Sequence, residues 1–261
     1  MLEIILFLLI GLIIAAAWDL KTTEVPDELP YLVIIIGIFY WFVISSASND
    51  FTYLFYSLTI GTLLLTFGLA MYKTGKWGGA DAWLLAAIGY TLPLYNNEIF
   101  MISFIPNFLI VASAYTILYS FAIGMMHKES FSYLKKDLIK NKWVFLIPGV
   151  FLAFPVYVYS QGSLLLLSFV PFVLMLFLVV FWRYALVIEK NVFTRKIPAS
   201  KIREGDVLQE MVWRGLTDKE VEEIKHKRKF VTIKEGIRFV PVFPITVVIT
   251  LVFGNILLLF L

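Results

Sequence analysis

The chain of 261 residues is 60% hydrophobic and only 16% charged, and its mean hydropathy is +0.86. This composition excludes an ordinary soluble domain and places the chain in a lipid bilayer. The net charge is +3 and cysteine is absent, which excludes disulfides, thiolate nucleophiles and cysteine-based zinc sites.

Apolar runs follow one another along the whole chain and predict membrane-spanning helices, which need roughly 20 residues each. In chain order the eight runs cover 2–18, 29–46, 51–72, 82–94, 100–126, 143–159, 164–182 and 240–261. The fourth run is short and the sixth contains Pro148 and Pro155, so six or seven crossings are open alternatives to eight. We expect an all-α polytopic membrane protein, a bundle of about eight transmembrane helices.

The positions of the basic residues predict the orientation of this bundle. With the N-terminus outside and eight spans, the loops at 47–50, 95–99 and 160–163 lie outside, and none of them contains Lys or Arg. The 22 basic residues all fall towards the other side, as the positive-inside rule requires of a cytoplasmic face. We therefore expect a multi-pass protein of the cell membrane with its N-terminus outside.

The charge pattern also divides the chain into regions. They are a membrane core at 1–126, a basic cytoplasmic loop at 127–142, an additional membrane hairpin at 143–182, a small cytoplasmic α+β segment at 183–239 and a C-terminal transmembrane helix at 240–261.

The polar segment at 183–239 carries local signals of its own. Thr217 and Glu220 have capping-box spacing, which predicts a short helix starting near Asp218, and β-branched residues around glycines predict short strands and turns. We interpret its basic run at 225–229 as a contact with anionic lipid at the membrane, not as a nucleic-acid site.

Two aspartates stand at the edges of apolar runs, where a charge is costly and suggests a function. Asp19 follows the first run, and Asp81 precedes the fourth after Gly75, Gly78 and Gly79. Both lie on the predicted cytoplasmic side and could meet. The simpler interpretation is that Asp81 is an N-cap and Asp19 a solvated interfacial residue, although a helix C-terminus disfavours an anion.

Two aspartates that approach each other would have a defined chemistry. They share one proton, so that one activates water while the other protonates a carbonyl oxygen. Gly78 and Gly79 would let an extended substrate backbone approach closely. The histidines, His127 and His226, lie in polar loops beside lysines, so the sequence favours neither a serine triad nor a metal site and we expect no cofactor.

Acidic residues between the first two runs complete the predicted site. Glu24, Asp27 and Glu28 follow Asp19 and would form an acidic rim that attracts a basic substrate.

Three separated stretches resemble the archaeal preflagellin and prepilin peptidases, membrane aspartyl proteases described by a G-x-G-D motif. Residues 19–27 are similar to the first aspartate segment of that family, residues 78–81 (GGAD) to its second motif, and residues 239–250 (FVPVFPITVVIT) to the entry of its final helix. Ala80 stands where the motif has its second glycine, and the family's six spans make 143–182 an added hairpin.

The resemblance implies that Asp19 and Asp81 are the catalytic pair. It also implies that the substrates are archaellin or type IV pilin-like precursors, cut at the cytoplasmic face beside their basic N-terminal signals. Bacterial members with a four-cysteine insert also methylate the new N-terminus, and without cysteine we expect cleavage alone. The presenilin branch is marked by a P-A-L tripeptide, which is absent here.

The sequence leaves two alternative functions open. A proton-coupled transporter would need acidic residues near the bilayer midplane, where the runs are almost free of charge. A non-catalytic membrane subunit of a pilus or secretion machine would not depend on either aspartate.

Overall fold

A computed structural model describes residues 1–75, 77–127, 129–150, 152, 169–209, 215–234 and 236–259. The chain forms two compact units. The first unit comprises Met1–Leu118, Arg203–Glu220 and Gly236–Leu261, and the second comprises Tyr119–Ile202 and Val221–Glu235.

Helices make up most of the described chain. They are α1 (Leu2–Thr22), α2 (Glu28–Ser48), α3 (Thr52–Lys73), α4 (Gly79–Thr91), α5 (Phe100–Met126), α6 (Ser130–Lys140), α7 (Leu146–Val150), α8 (Val170–Asn191), α9 (Asp218–Lys227) and α10 (Val242–Phe253). Short strands lie between them: β1 (Leu94–Tyr95), β2 (Glu98–Ile99), β3 (Thr194–Pro198), β4 (Val207–Leu208) and β5 (Phe230–Lys234). β1 pairs with β2 and β3 with β5, both antiparallel.

Five of the described helices, α1, α2, α3, α5 and α8, are long and apolar enough to cross a membrane, and α10 is a shorter apolar helix. The predicted fold class, a polytopic α-helical membrane protein with a small α+β segment, is therefore confirmed. Helix α5 has the predicted bounds, and α1, α2 and α3 differ from their predicted runs by a few residues at their ends. Of the predicted run at 143–159, the structure describes 143–150 and 152, which include α7, and the remaining residues lie outside the described ranges.

Three predicted runs differ from the helices that form. The fourth gives α4, which begins at Gly79 and ends at Thr91. The seventh extends to Asn191, since the helical pattern continues through Tyr184 and Ile188, which are buried. The last run gives a helix that ends at Phe253, because Gly254 takes a left-handed φ of 65°.

Helix α4 occupies the centre of the first unit and packs against α1, α2 and α3. Every residue from Leu84 to Thr91 is buried. Glycines in α3 allow this close approach: a Cβ at Gly68 would lie 2.8 Å from the Cα of Ala82, and a Cβ at Gly61 would lie 2.3 Å from the ring of Tyr90. Small residues serve this purpose widely in membrane helix pairs.

Side chains of α2 and α3 also bind the C-terminal end of α4. The indole Nε1 of Trp41 donates to the carbonyl oxygen of Thr91 at 3.0 Å. The hydroxyl of Ser57 donates to the backbone carbonyl oxygen of Tyr90 at 2.6 Å. These bonds satisfy carbonyl groups that a helix end leaves without partners in an apolar bundle. Helix α4 is therefore fixed along its length, and with it the position of Asp81 in its first turn.

In the second unit, α6 packs on α8, and the hydroxyl of Tyr184 donates to the carbonyl oxygen of Ser120 at 3.1 Å.

The predicted capping box before α9 is present. The backbone N–H of Thr217 donates to Oε2 of Glu220 at 3.0 Å, and α9 begins at Asp218 as expected.

Candidate active site

Asp19 lies in the last turn of α1 and is only 6% exposed. Its Oδ2 accepts a hydrogen bond from the backbone N–H of Val240 at 3.1 Å. Val240 directly precedes Pro241, the N-cap of α10, so the bond joins the end of the first helix to the start of the last described one. Because a buried carboxyl needs polar partners, this donor stabilises Asp19 within an apolar bundle.

Asp81 lies in the first turn of α4 and is half-buried. Its Oδ2 accepts a hydrogen bond from the backbone N–H of Gly78 at 3.2 Å. The N-cap position belongs to Gly78, so the alternative that Asp81 is itself the N-cap is wrong. Its carboxyl instead turns back towards the cap from the third helical position, as the acidic member of a capping box does.

The two aspartates belong to the same unit and lie close enough for the charge of Asp19 to act on Asp81. The guanidinium of Arg238 lies within electrostatic range of Asp19 as well. The structure thus places two carboxyls of one unit within electrostatic range of each other. Carboxyls brought within hydrogen-bond distance would share one proton and supply a general base and a general acid together.

The segment before α10 is held in place by its own contacts. The hydroxyl of Tyr115, in α5, donates to the carbonyl oxygen of Arg238 at 2.7 Å. Backbone bonds of 3.0 Å from Val242 to Phe239 and from Phe243 to Val240 form a tight turn. This turn fixes the N–H of Val240 where it meets Asp19.

Aromatic packing connects the two backbone donors. Trp77, which precedes Gly78, packs against Phe108 with ring centroids 6.0 Å apart. Phe239, which precedes Val240, packs against the same Phe108 at 5.9 Å. One side chain of α5 thus supports both loops that bind the aspartates.

The other predicted site residues differ in their surroundings. Gly78 has an extended backbone, and a Cβ there would lie 3.1 Å from Oδ2 of Asp81. A Cβ at Gly79 would make only an ordinary contact of 3.6 Å with Tyr72, so packing does not require glycine at this position. Glu24, Asp27 and Glu28 are all exposed, in or beside the turn between α1 and α2.

Several residues at this site were not predicted from the sequence. They are Gly68, which admits Ala82 beside Asp81, and Tyr115, Phe108 and Trp77, which hold the donor loops. The seven-residue spacing of Gly61 and Gly68 on one helix face was a usable signal for close packing. Among the described residues there is no group of three or more His, Asp or Glu that could hold a metal ion.

Comparison with known proteins gives two matches. The model of the type IV leader peptidase family matches residues 6–127, a range that includes both aspartates. A preflagellin peptidase from Methanocaldococcus jannaschii is 33% identical over 90 residues, which are 34% of this chain and 38% of that protein. The match thus spans less than half of that relative's length. No solved structure matches the chain.

Proposed function

We propose that the chain is a membrane aspartyl endopeptidase with Asp19 and Asp81 as its catalytic pair. The match of residues 6–127 to the model of the type IV leader peptidase family supports this proposal. One observation carries the proposal: two aspartates on separate helices of one apolar unit lie within electrostatic range of each other, each with one oxygen held by a backbone N–H. Pairs of carboxyls are a recurring arrangement in acid–base catalysis.

The hydrogen bonds suggest how the shared proton is placed. A backbone N–H can only donate, so Oδ2 of Asp19 and Oδ2 of Asp81 are both engaged as acceptors. Among the described residues neither Oδ1 has a hydrogen-bond partner. We assign the shared proton and the catalytic water to these two Oδ1 atoms.

The reaction then follows the logic of an acid–base pair. The ionised carboxylate removes a proton from water, and the resulting hydroxyl bonds to the carbonyl carbon of the peptide while the other carboxyl protonates the carbonyl oxygen. Collapse of this tetrahedral intermediate breaks the C–N bond. The proton taken from water passes to the leaving amine, and one hydroxyl of the intermediate returns its proton to the carboxylate that had protonated the carbonyl oxygen. The pair ends with one proton shared, as it began.

For the substrate we propose archaellin or type IV pilin-like precursors with a basic N-terminal signal. The support is the relative from Methanocaldococcus jannaschii, named a preflagellin peptidase, and the exposed carboxylates of Glu24, Asp27 and Glu28. These three lie within nine residues of Asp19 along the chain and would attract basic residues next to the scissile bond. Gly78 and Gly79 would line the path of the substrate backbone.

We further propose that cleavage takes place at the cytoplasmic face, with the N-terminus outside. The distribution of Lys and Arg supports this orientation, since the predicted outside loops at 47–50, 95–99 and 160–163 have neither. Under this topology 127–142 and 183–239 are cytoplasmic regions.

The test is direct cleavage by the purified chain in lipid vesicles. A panel of archaellin and pilin precursors is added, and the new N-termini are sequenced. We expect cleavage just after the basic part of the signal, unaffected by chelators or by serine and cysteine reagents. Absence of cleavage of every precursor, or cleavage within the mature region, would contradict the proposal.

A further inference from the structure

Helix α6 is too short to cross a bilayer, with 11 residues, yet large apolar side chains on it and just after it are exposed. Phe131 is 54% exposed, Ile139 is 66% exposed, and Trp143 in the following turn is 72% exposed. Exposed apolar side chains grouped in this way mark an interaction surface.

The opposite face of α6 is fastened to α8. The guanidinium of Arg183 donates to both carboxylate oxygens of Asp137, from Nε and from a terminal nitrogen, each at 2.7 Å. Both side chains are largely shielded from solvent, and such paired, charge-assisted bonds fix geometry strongly. Since α8 is long and apolar enough to cross a membrane, α6 is held beside a membrane-spanning helix and its exposed face is fixed.

Basic residues share that exposed face. Phe131, Lys135 and Ile139 are spaced four residues apart and form one stripe along the helix, while Lys136 and Lys140 lie further round the same side. Large exposed apolar side chains with lysines beside them suit a helix that lies in the membrane interface.

These lysines differ from others in their lack of acidic partners among the described residues. In the part of the chain that the structure describes, Lys135, Lys136 and Lys140 enter no ion pair. The carboxylate of the nearby Asp137 accepts hydrogen bonds from Arg183, and the carboxylate of Glu129 accepts a hydrogen bond from the hydroxyl of Tyr133.

Helix α9, in contrast, carries lysines with internal partners. Lys225 pairs with Glu222 at 3.0 Å and Lys227 with Glu223 at 2.9 Å. On α6, unlike α9, lysines without an ion pair among the described residues lie beside exposed apolar side chains.

We propose that α6, together with Trp143, is a docking surface for anionic phospholipid headgroups, separate from the two aspartates. The lysines would bind the phosphates, at ~1 kcal/mol for each basic side chain near the surface, and Phe131, Ile139 and Trp143 would enter the adjoining acyl layer. A soluble acidic partner would use the lysines and leave these apolar side chains in water. The attachment to a membrane-spanning helix thus favours lipid.

The test uses the absence of native cysteine. The full chain carrying Ile139→Cys is labelled with a fluorophore and reconstituted in phosphatidylcholine vesicles. Two vesicle preparations are compared. One contains a small fraction of nitroxide-labelled phosphatidylglycerol, and the other contains the same fraction of nitroxide-labelled phosphatidylcholine. We expect the anionic lipid to quench the label at least about fivefold more efficiently than phosphatidylcholine, the factor that ~1 kcal/mol from a single lysine corresponds to. The difference should shrink at high salt.

Matched variants distinguish lipid binding by the lysines of α6 from attraction by any basic residue of the protein. Lys135→Gln, Lys136→Gln and Lys140→Gln combined should bring the quenching ratio close to one, whereas Lys225→Gln with Lys227→Gln should leave it unchanged. A label at Ile102, an exposed position on α5 in the first unit, should give a ratio near one throughout. A ratio near one at position 139, a ratio insensitive to the triple change, or a label that neither lipid quenches would each overturn the proposal.

Discussion

The two backbone donors at the aspartates allow a test at a single residue. Gly78→Pro deletes the N–H that binds Oδ2 of Asp81, and the backbone there, with φ −72° and ψ 155°, suits proline. We expect kcat to fall roughly 10- to 100-fold, because a hydrogen bond to a charged group contributes about 1.5–3 kcal/mol. Any change in KM should match that of a variant with the same added Cβ, since Gly78 lies on the proposed path of the substrate backbone.

The matched control is Gly78→Ala. It adds the same Cβ, 3.1 Å from Oδ2 of Asp81, but keeps the N–H. Steady-state cleavage by the two variants isolates the donor, and equal kcat values would show that the hydrogen bond is not used in catalysis.

Substitution of the three acidic rim residues tests their proposed role in substrate binding. Replacing Glu24 and Glu28 by Gln and Asp27 by Asn should raise KM several-fold for precursors with basic signals at low salt, with kcat nearly unchanged. The effect should shrink at high salt, because the three side chains are exposed and their attraction is screened. Glu98→Gln, at another exposed acid, serves as the control. A KM that does not change at low salt would remove the rim from the proposed site.

At the scale of elements, the close contact of α3 with α4 determines where Asp81 lies. Gly68→Ala places a Cβ 2.8 Å from the Cα of Ala82, so one helix must shift. Overpacking of this kind costs about 1–3 kcal/mol, and we expect a lower melting temperature in detergent together with reduced cleavage.

Gly149→Ala is the control for that substitution, because a Cβ at Gly149 meets no atom of the described residues within 4 Å. It should leave melting temperature and cleavage close to those of the parent chain. If Gly68→Ala behaves in the same way, the packing of α3 on α4 does not position Asp81.

Elements governed by local pattern were predictable from the sequence, and those governed by packing were not. Hydropathy predicted α1, α2, α3 and α5, and the capping-box spacing of Thr217 and Glu220 predicted the start of α9. The early end of the last helix depends on Asn107, whose side chain binds the carbonyl oxygen of Gly254 at 2.6 Å and the N–H of Ile256 at 2.9 Å. Such long-range partners leave no periodic signal.

The candidate site shows the same division. The sequence nominates Asp19 and Asp81 as candidates, because an aspartate at the edge of an apolar run is costly and suggests a function. The N–H that binds Asp19 comes from Val240, 221 residues further along the chain. The position of that donor follows from the packing of Phe239 and Tyr115, which no local spacing reveals.

At the scale of the whole molecule, the proposed orientation can be measured with single cysteines, since the chain has none of its own. Ser132→Cys and Lys219→Cys should resist an impermeant thiol reagent in intact cells and react after permeabilisation. Ala47→Cys, in a predicted outside loop, should react at once. Labelling of positions 132 and 219 in intact cells would reverse the orientation and move the proposed cleavage to the outer face.

The central claim is that Asp19 and Asp81 together perform the hydrolysis, and cleavage by purified Asp19→Asn and Asp81→Asn tests it most directly. Each change keeps the size of the side chain but removes the carboxylate, so neither variant can share a proton across the pair. Asp50→Asn is the control, because Asp50 is exposed and its Oδ1 accepts a hydrogen bond from the N–H of Thr52 in the turn before α3. We expect both site variants to lose cleavage while remaining folded and monodisperse, with the control fully active. Substantial cleavage by either folded site variant would contradict the account.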